Sequence, residues 1–372
     1  MILIVIEFVV VLIGLAITPM LFYRFPRLPE VKSGEMVFPK VSVIIPARNE
    51  EHNLPLLLND LNGQSFIPFE IICVDDDSSD LTAQIAEASG ARVLSLHDKP
   101  DGWTGKSWAC QNGADAAKGE LLVFLDADVR LGHNAILRLM QAYSDCGCTI
   151  SAQPFHKTEK AYEQLSMLFN FIQIAANGTA LPKPLGVGLY GPVILIPKSE
   201  YNRIGGHESV KMSIVEDMAL GHRLKENGLS YLLFIGDKEL SFRMYGDGLK
   251  ALLQGWLKNM AAGAAKTTPS VFVMVFFWIT SLISVPLHVI YFSISGNFLW
   301  LVMYSLLYIV WATILSSLSK RIGQFRPLAT VLFPLQMVVF LGVFAVSVFK
   351  KIFRLNVIWK GRAVSVEGKT CK

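Results

Sequence analysis

The chain has 372 residues, 52% of them hydrophobic and only 17% charged. That is too apolar for an ordinary soluble protein of this length, and a net charge of +4, with no recognisable nucleic-acid module, gives no reason to expect a nucleic-acid partner. The apolar excess is confined to residues 1–23 and roughly 270–350, and between them lies a stretch of ordinary globular composition, long enough for its own core.

Residues 2–23 hold one charge, Glu7, and are followed by Arg24 and Arg27. Positive charge after the apolar run, without a clear small-residue cleavage site, favours a retained transmembrane anchor over a removed signal peptide. Residues 24–40, rich in proline and charge, read as a linker. Val41–Ile45 then reads as a buried strand stopped by Pro46. Residues 50–62 read as a helix with Leu54, Leu57, Leu58 and Leu61 on one face. A second strand over Phe69–Val74 leads to a helix capped by Ser79 or Asp80 and ending near Ser89. A third strand over Arg92–Leu96, a helix over about 107–117 and a fourth strand over Glu120–Leu125 follow.

This alternation implies an α/β fold: a Rossmann-like, mostly parallel sheet with helices on both faces. Ligands of such sheets bind beyond the carboxyl ends of the strands. Three polar clusters fall at those ends: Ala47-Arg48-Asn49-Glu50, Asp75-Asp76-Asp77 and Asp126-Ala127-Asp128. The last is the most informative. Two carboxylates one residue apart at a strand end, with a helix expected next, can share one divalent cation, and a hard cation is what a nucleoside diphosphate needs to shed its charge. Asp76, beside Glu50, is placed to accept from a pyrimidine N–H, although acids at 75–77 also suit a helix N-terminus. Lys106, in Gly102-Trp103-Thr104-Gly105-Lys106-Ser107, can meet a phosphate; the full P-loop spacing is absent, which disfavours nucleoside triphosphate hydrolysis.

The second half is less regular. A helix is expected over 159–177, a β segment over 186–197, a short helix over 198–205, a helix over 216–227 and a strand over Tyr231–Ile235. Glu216 and Asp217 open their helix either as capping acids or as part of a catalytic site. A hydroxyl acceptor needs a base that is not a metal ligand, and Asp217 meets that requirement. Gly205-Gly206 lets backbone approach a ligand, so Gly206 and His207, with Arg243 and Trp256, read as acceptor-side contacts. A helix over 249–262 carries Leu249, Leu252, Leu253, Trp256, Leu257 and Met260 on one stripe, with Lys250 and Lys258 off it. It is either core-facing or interfacial.

Three further apolar runs, Val271–Ser293, Phe298–Ser317 and about 328–349, can each cross a ~30 Å hydrocarbon layer. Arg24, Arg27, Lys32 and Lys40 place the globular region in the cytoplasm, and Lys320, Arg321 and Arg326 place the following loop there too. The tail, with Lys350, Lys351, Arg354, Lys360, Arg362, Lys369 and Lys372, reads the same way. Four full crossings would leave that tail outside, so one late segment is expected to be re-entrant or interfacial. The third run is the first choice, because Pro334 lies within it and Gly323 and Pro327 break the chain before it. A transporter would need ionisable residues within the spans, and the late runs offer only His288. Cys146-Gly147-Cys148 lacks a second pair at zinc-site spacing and reads as free thiols.

Val43–Glu50, Val74–Asp80, Phe124–Asp128 and Glu216-Asp217, in this order, resemble the family 2 glycosyltransferases over about residues 40–235. The resemblance implies a GT-A fold, a nucleotide-sugar donor, Mg²⁺ or Mn²⁺, and inversion at the anomeric carbon. It implies that Glu50 and Asp76 hold the nucleobase, that Asp128 is the stronger metal ligand and that Asp217 is the base. The expected donor-binding set is Pro46, Ala47, Glu50, Asp76, Lys106 and Asp126, and the acceptor-side set is Glu216, Gly206, His207, Arg243 and Trp256. The domains expected are an anchor at 1–23, a linker at 24–40, a GT-A domain at 41–245, an interfacial helix within 246–268, membrane helices over 269–349 and a basic cytoplasmic tail at 350–372.

Further stretches are similar to a narrower group, the 4,4'-diaponeurosporenoate glycosyltransferases of carotenoid biosynthesis. They are Gly102–Ala109, Gly191-Pro192-Val193, Gly205-Gly206-His207, Phe242–Tyr245, Gln254-Gly255-Trp256, Arg321–Phe325 and Trp359–Arg362. That similarity implies a multi-pass enzyme of the cell membrane that esterifies a C30 carotenoid acid with glucose from UDP-glucose. Other lipid acceptors, namely a hopanoid, a polyprenyl phosphate or diacylglycerol, and a catalytically dead binding subunit stand as alternatives. The Q-x-x-R-W motif of processive synthases is missing. A carotenoid acid, with a carboxyl pKa of ~4–5, is already ionised at pH 7, so Asp217 would then orient the acceptor or be dispensable.

Overall fold

A computed structural model describes residues 2–32, 37–359 and 362–365. Lys360, Gly361, Lys369, Cys371 and Lys372 lie outside the described residues, so part of the Trp359–Arg362 motif and of the basic tail does too.

The chain opens with α1 (Ile2–Leu21) and continues through β1 (Val41–Ala47), α2 (Leu54–Asn62), β2 (Glu70–Asp75), α3 (Thr82–Ala88), β3 (Arg92–Ser95), α4 (Gly105–Ala116) and β4 (Leu121–Leu125). Next come β5 (Val129–Leu131), α5 (Ala135–Cys146), β6 (Thr149–Gln153), β7 (Phe155–His156), α6 (Ser166–Asn177), β8 (Val193–Pro197), α7 (Lys198–Arg203), α8 (Glu216–Glu226), β9 (Tyr231–Ile235) and β10 (Leu240–Phe242). The main sheet has seven strands in the order β3-β2-β1-β4-β8-β6-β9, and β8 alone runs antiparallel to its neighbours. A second sheet has the order β5-β10-β7.

The central strands are near-continuous apolar runs because both faces are covered. Alternate residues go to opposite sides: Ile44, Ile72, Val74, Leu122 and Phe124 face one core, and Val43, Ile45, Cys73, Val123 and Leu125 the other. The first core is continuous with the membrane helices through Phe22, Phe171, Trp278 and Trp311.

Several local expectations are corrected. The helix expected from Glu50 starts at Leu54; residues 51–53 form a turn, in which the amides of Asn53 and Leu54 both reach the Glu50 carbonyl (3.0 and 2.9 Å). No helix follows Asp128 directly; the chain first pairs as β5 with β10. The helix expected over 159–177 is a 3-10 turn (Ala161–Leu165) followed by α6. Of residues 186–197 only β8 is strand, since Asn177 holds both backbone groups of Gly188 at 3.0 Å in a loop.

The stretch expected to be a linker is an ordered strap where described. Arg24 N donates to Ala180 O (3.1 Å), Ile235 N to Pro26 O (2.7 Å), and Arg138 to the carbonyls of Leu28 (2.8 Å) and Pro29 (2.9 Å). Arg27 donates to the carbonyls of Gly236 and Arg321, so the basic ends of the first and third apolar runs meet on the domain side.

The remaining elements are α9 (Leu249–Ala264), α10 (Pro269–Ser295), α11 (Phe298–Ile322), α12 (Pro327–Val331), α13 (Phe333–Ile352) and a hairpin of β11 (Asn356–Trp359) and β12 (Arg362–Ser365). Among the described residues, four helices are long and apolar enough to cross a membrane: α1, α10, α11 and α13. α1 lies tight on α10. A Cβ on Gly14 would fall 2.3 Å from that of Ser281, whose hydroxyl donates to Val11 O (3.1 Å); small residues at such seams let backbones approach. His288 lies well past the middle of α10 and pairs with Glu7 across this seam (2.6 Å).

α11 returns to the domain, where Gln324 N donates to His156 O (2.8 Å). The third late run is then split. Arg326 N still touches the domain at Gln164 Oε1 (2.8 Å), Tyr308, midway along α11, donates to Val331 O (2.6 Å), and Ser347 near the end of α13 donates to Leu257 O of α9 (2.7 Å). Pro334 sits in the first turn of α13, where a missing N–H costs nothing, rather than interrupting it.

Candidate active site

The carboxyl ends of β1, β2 and β4 open onto one cavity of about 850 Å³. Its inner end is built from backbone turned back on itself. Asn49 (φ 52°) and Asp77 (φ 58°) adopt the left-handed conformation that Asn and Asp tolerate, so the chain reverses directly after β1 and β2. Arg48 stitches the two turns together by donating to the carbonyls of Asp76 and Asp77. Glu50 N donates to Thr82 Oγ1 (2.8 Å), and Asn53 donates to Glu50 Oε2 (2.8 Å). Pro46, Ala47, Glu50 and the buried Asp76 thereby line the same wall.

The floor is a cluster of charge. Asp126 N donates to Pro192 O (3.0 Å), extending the β4–β8 register one step past the strand. Lys106, in the first turn of α4, sits 2.6 Å from Asp126 Oδ1 and 3.5 Å from Glu216 Oε1. Burial works against its charge, but the Asp126 and Glu216 carboxylates outweigh that and carry its pKa well above the usual lysine value. Glu216 is the converse: burial pushes it up, and Lys106 and Lys258 bring it below the ordinary range. Asp217 is different. Burial, then the neighbouring Glu216, push it up to about 6, although its oxygens accept from Gly191 N (2.8 Å) and Met218 N (2.7 Å). It is a carboxyl poised to exchange a proton near neutrality.

Asp128 lines the cavity two residues on, in the turn into β5, with its carbonyl 3.4 Å from Arg243 N. Asp126 and Asp128 offer hard oxygen ligands, and among the described residues no third acidic, histidine or cysteine side chain joins them in a metal-holding group. That set fits Mg²⁺ or Mn²⁺, which take one or two protein carboxylates and complete their shell with substrate phosphate and water.

The outer end of the cavity is apolar. It runs between α6, α9, α10 and α13, past Ile172, Trp256, Val275, Ile279 and Phe340. Along α10 its wall extends from Phe272 to Ile283, roughly 16 Å by the helical rise. Phe272 (50% exposed), Phe276 (56%) and Leu341 (38%) line it and are also exposed on the outside of the helices.

The structure thus brings Pro46, Ala47, Glu50, Asp76, Lys106, Asp126, Asp128, Glu216, Asp217, Arg243 and Trp256 to one cavity. It does not bring Gly206 and His207 to its wall. His207 is 2% exposed behind Phe124, bonded to Tyr201 Oη (2.9 Å), and burial draws its pKa down to about 4. A Cβ on Gly206 would lie 2.6 Å from the Tyr201 ring, so this glycine accommodates packing rather than ligand approach. Arg243 reaches the cavity but is ion-paired to Glu159 (2.6 Å) and Glu163 (2.8 Å). Gly191 and Lys258 are among the wall residues that were not singled out from the sequence as site residues. Gly191 donates its amide to Asp217, and a Cβ there would fall 2.9 Å from Oδ2; a glycine before a Pro-Val strand start was the available signal. Lys258 lines the cavity from α9, and its place off the apolar stripe was the signal.

A family model described as Glycosyl transferase family 2 matches residues 42–187. The chain is 35% identical to a 4,4'-diaponeurosporenoate glycosyltransferase of Staphylococcus haemolyticus (strain JCSC1435), over 88% of this chain and 89% of that one. It is 33% identical to the protein of the same name from Staphylococcus aureus (strain USA300), over 96% of each. Among solved structures, a mannosyltransferase from Pyrobaculum calidifontis in complex with GDP-Man and Mn²⁺ superposes with a TM-score of 0.51 at 14% identity, over 92% of this chain and 99% of that one. At that identity the likeness speaks for the fold alone, a GT-A-like sheet with added helices.

Proposed function

The chain belongs to the family 2 glycosyltransferases, and from that premise we propose that it transfers glucose from UDP-glucose, with inversion, to the carboxylate of a C30 carotenoid acid held in the membrane. Two relatives spanning most of the chain carry the name of such an enzyme. The observation that carries the reading is the single cavity joining the Asp126–Asp128 carboxylates to an apolar passage between α10 and α13. A polar donor and an apolar acceptor can meet there without either leaving its own solvent.

In this reading Glu50 and Asp76 bind the base of the donor, and Asp128, with Asp126, would hold a divalent cation. Bound there, the cation would supply neutralisation of charge on the departing diphosphate. Lys106 holds the carboxylates of Asp126 and Glu216 in place. One acceptor carboxylate oxygen attacks the anomeric carbon as the bond to the diphosphate oxygen breaks. An ester and a nucleoside diphosphate result, and no proton moves.

The domain lies on the cytoplasmic side, supported by the meeting of Arg27 with the basic end of α11. α12 and α13 enter and leave on that same side, supported by the contacts of Arg326 and Ser347. The test is incubation of vesicles containing the full chain with radiolabelled UDP-glucose, Mn²⁺ and the C30 acid. The expected product is the glucosyl ester, identified by mass; release of free glucose alone would overturn the acceptor. A second reading, transfer to a lipid hydroxyl, is favoured by Asp217, whose raised pKa suits proton uptake.

A further inference from the structure

We propose that the side-chain oxygen of Gln153 accepts a hydrogen bond from a hydroxyl of the sugar being transferred, on the ring edge opposite the anomeric carbon. The inference rests on the nucleotide-sugar reading above and adds a residue that recognises the sugar.

The sheet acts as a ruler for the donor. Ala152 of β6 pairs with Val193 of β8, and Val193 with Leu125 of β4. Gln153 and Asp126 follow Ala152 and Leu125, so they stand level with β8 between them, two strand spacings or about 10 Å apart. The pleat turns both side chains to one face, because Ser151 and Phe124, two residues earlier, flank Ile194 in the same way. Both residues line the cavity. Asp76, after β2, lies four spacings from Gln153, about 19 Å. A donor with its base at Asp76 and its diphosphate at Asp126 therefore carries its sugar toward β6. The anomeric carbon stays beside the diphosphate, so the far edge of the ring, with its 3- and 4-hydroxyls, is what Gln153 meets.

A buried chain behind Gln153 fixes what it offers there. Asn170 of α6 gives one amide hydrogen to Ser166 O (2.9 Å) and turns the other to His156 Nδ1 (3.2 Å). An amide nitrogen only donates, so that imidazole nitrogen accepts. Burial keeps the ring neutral, with its pKa drawn down to about 4. Asn170 Oδ1 is left to accept, and its donor is Gln153 Nε2 (3.4 Å). The amide of Gln153 is thereby oriented, with its oxygen as the free end. The side chain is 3% exposed, and that oxygen meets no donor among the described residues. Gln173, one turn beyond Asn170 on α6, lines the same cavity, and its Oε1 likewise meets no donor among the described residues. Buried acceptors left unmade are costly, and two of them suit a polyol. The acceptor substrate does not answer them, because a polyene with an ionised carboxylate has no polar hydrogen to give.

The experiment uses the full chain in phosphatidylcholine nanodiscs with Mn²⁺ and measures affinity by competition with radiolabelled UDP. Wild type should bind UDP-3-deoxyglucose or UDP-4-deoxyglucose roughly 10-fold more weakly than UDP-glucose, the worth of a neutral hydrogen bond whose buried partner is left unmade. Gln153→Met should bind UDP-glucose more weakly by about the same factor and no longer distinguish that deoxy sugar, while UDP itself binds as in wild type. Equal wild-type affinity for all three sugars, a comparison that needs no variant, would leave the oxygen to water and overturn the assignment. A Met variant that still discriminates would overturn it too, as would a parallel loss of UDP affinity, which makes Gln153 structural. A wild type that binds no UDP would overturn the donor reading, and this assignment with it.

Discussion

The two ends of the cavity are built in opposite ways. The donor end comes from short segments directly after β1, β2 and β4, each a polar cluster fixed by the strand before it. The acceptor end comes from α6, α9, α10 and α13, spread over more than half the chain, and its character is set by which helix faces lie together. The donor end is therefore rigid and local, and the acceptor end is tunable. A substitution at the first should abolish the reaction, whereas one at the second should change only which lipid is used.

The hardest test of that division is removal of the donor carboxylate. Asp128→Ala should lower both transfer and donor hydrolysis by roughly 10³-fold or more, since charge stabilisation on a leaving group is commonly the largest single contribution. Chelation with EDTA should do the same to the wild type, with recovery on adding Mn²⁺. Retained donor hydrolysis in Asp128→Ala, measured as free UDP, would remove the basis for separating the two ends.

Asp217 stands between them and discriminates the acceptor. With a lipid hydroxyl, Asp217→Asn should cost about 10²–10⁴-fold, the usual worth of a general base; with the carotenoid acid it should cost less than about 10-fold. The pH dependence has a definite sign. Asp217 titrates at about 6 and a base must be deprotonated, so transfer to a hydroxyl should fall as pH drops through 6. Transfer to an acid should hold there until the acceptor itself protonates, near its ~4–5. Initial rates between pH 5 and 8 with the two acceptors test this.

The same asymmetry governed what the sequence could reveal. Glu50, Asp76 and Asp126–Asp128 were legible because an apolar run of strand length announces a polar cluster at its end. β5, β7 and β10 were not, since strands of two or three residues exist only through partners distant in the chain. α5 was expected only as a helix directly after Asp128, without bounds, although Ile136, Leu139 and Met140 carry its helical spacing. Gly206 and His207 could not be placed from sequence, because a double glycine before a histidine looks alike whether it serves a ligand or packs under Tyr201. Lys258 was visible as a cation off an apolar stripe, but only the fold shows that this side of α9 faces carboxylates.

A substitution in the apolar passage sharpens the contrast. Val275→Trp on α10 adds bulk where the wall is buried. It should raise KM for the C30 acid about tenfold through overpacking of the bound chain, with UDP affinity unchanged.

The smallest effect belongs to the pair furthest from the chemistry. Glu7 and His288 meet at 2.6 Å between α1 and α10. An ionisable pair within membrane spans is ordinarily a sign of ion or proton movement, so the transporter alternative rests on it. Its partners here argue for a structural bond instead: Ser284 holds the other imidazole nitrogen through its carbonyl (2.8 Å), and Tyr304 stacks on the ring at 4.5 Å. Hydrogen bonds between membrane helices average about 0.6 kcal/mol and rarely exceed 2. Glu7→Gln should therefore lower thermal stability in detergent by a few degrees at most and leave transfer in vesicles unchanged, with or without an imposed pH gradient. A rate that follows the gradient in the wild type and loses that dependence in Glu7→Gln would join the spans to the chemistry, and the membrane end could no longer be treated as a passage for the acceptor.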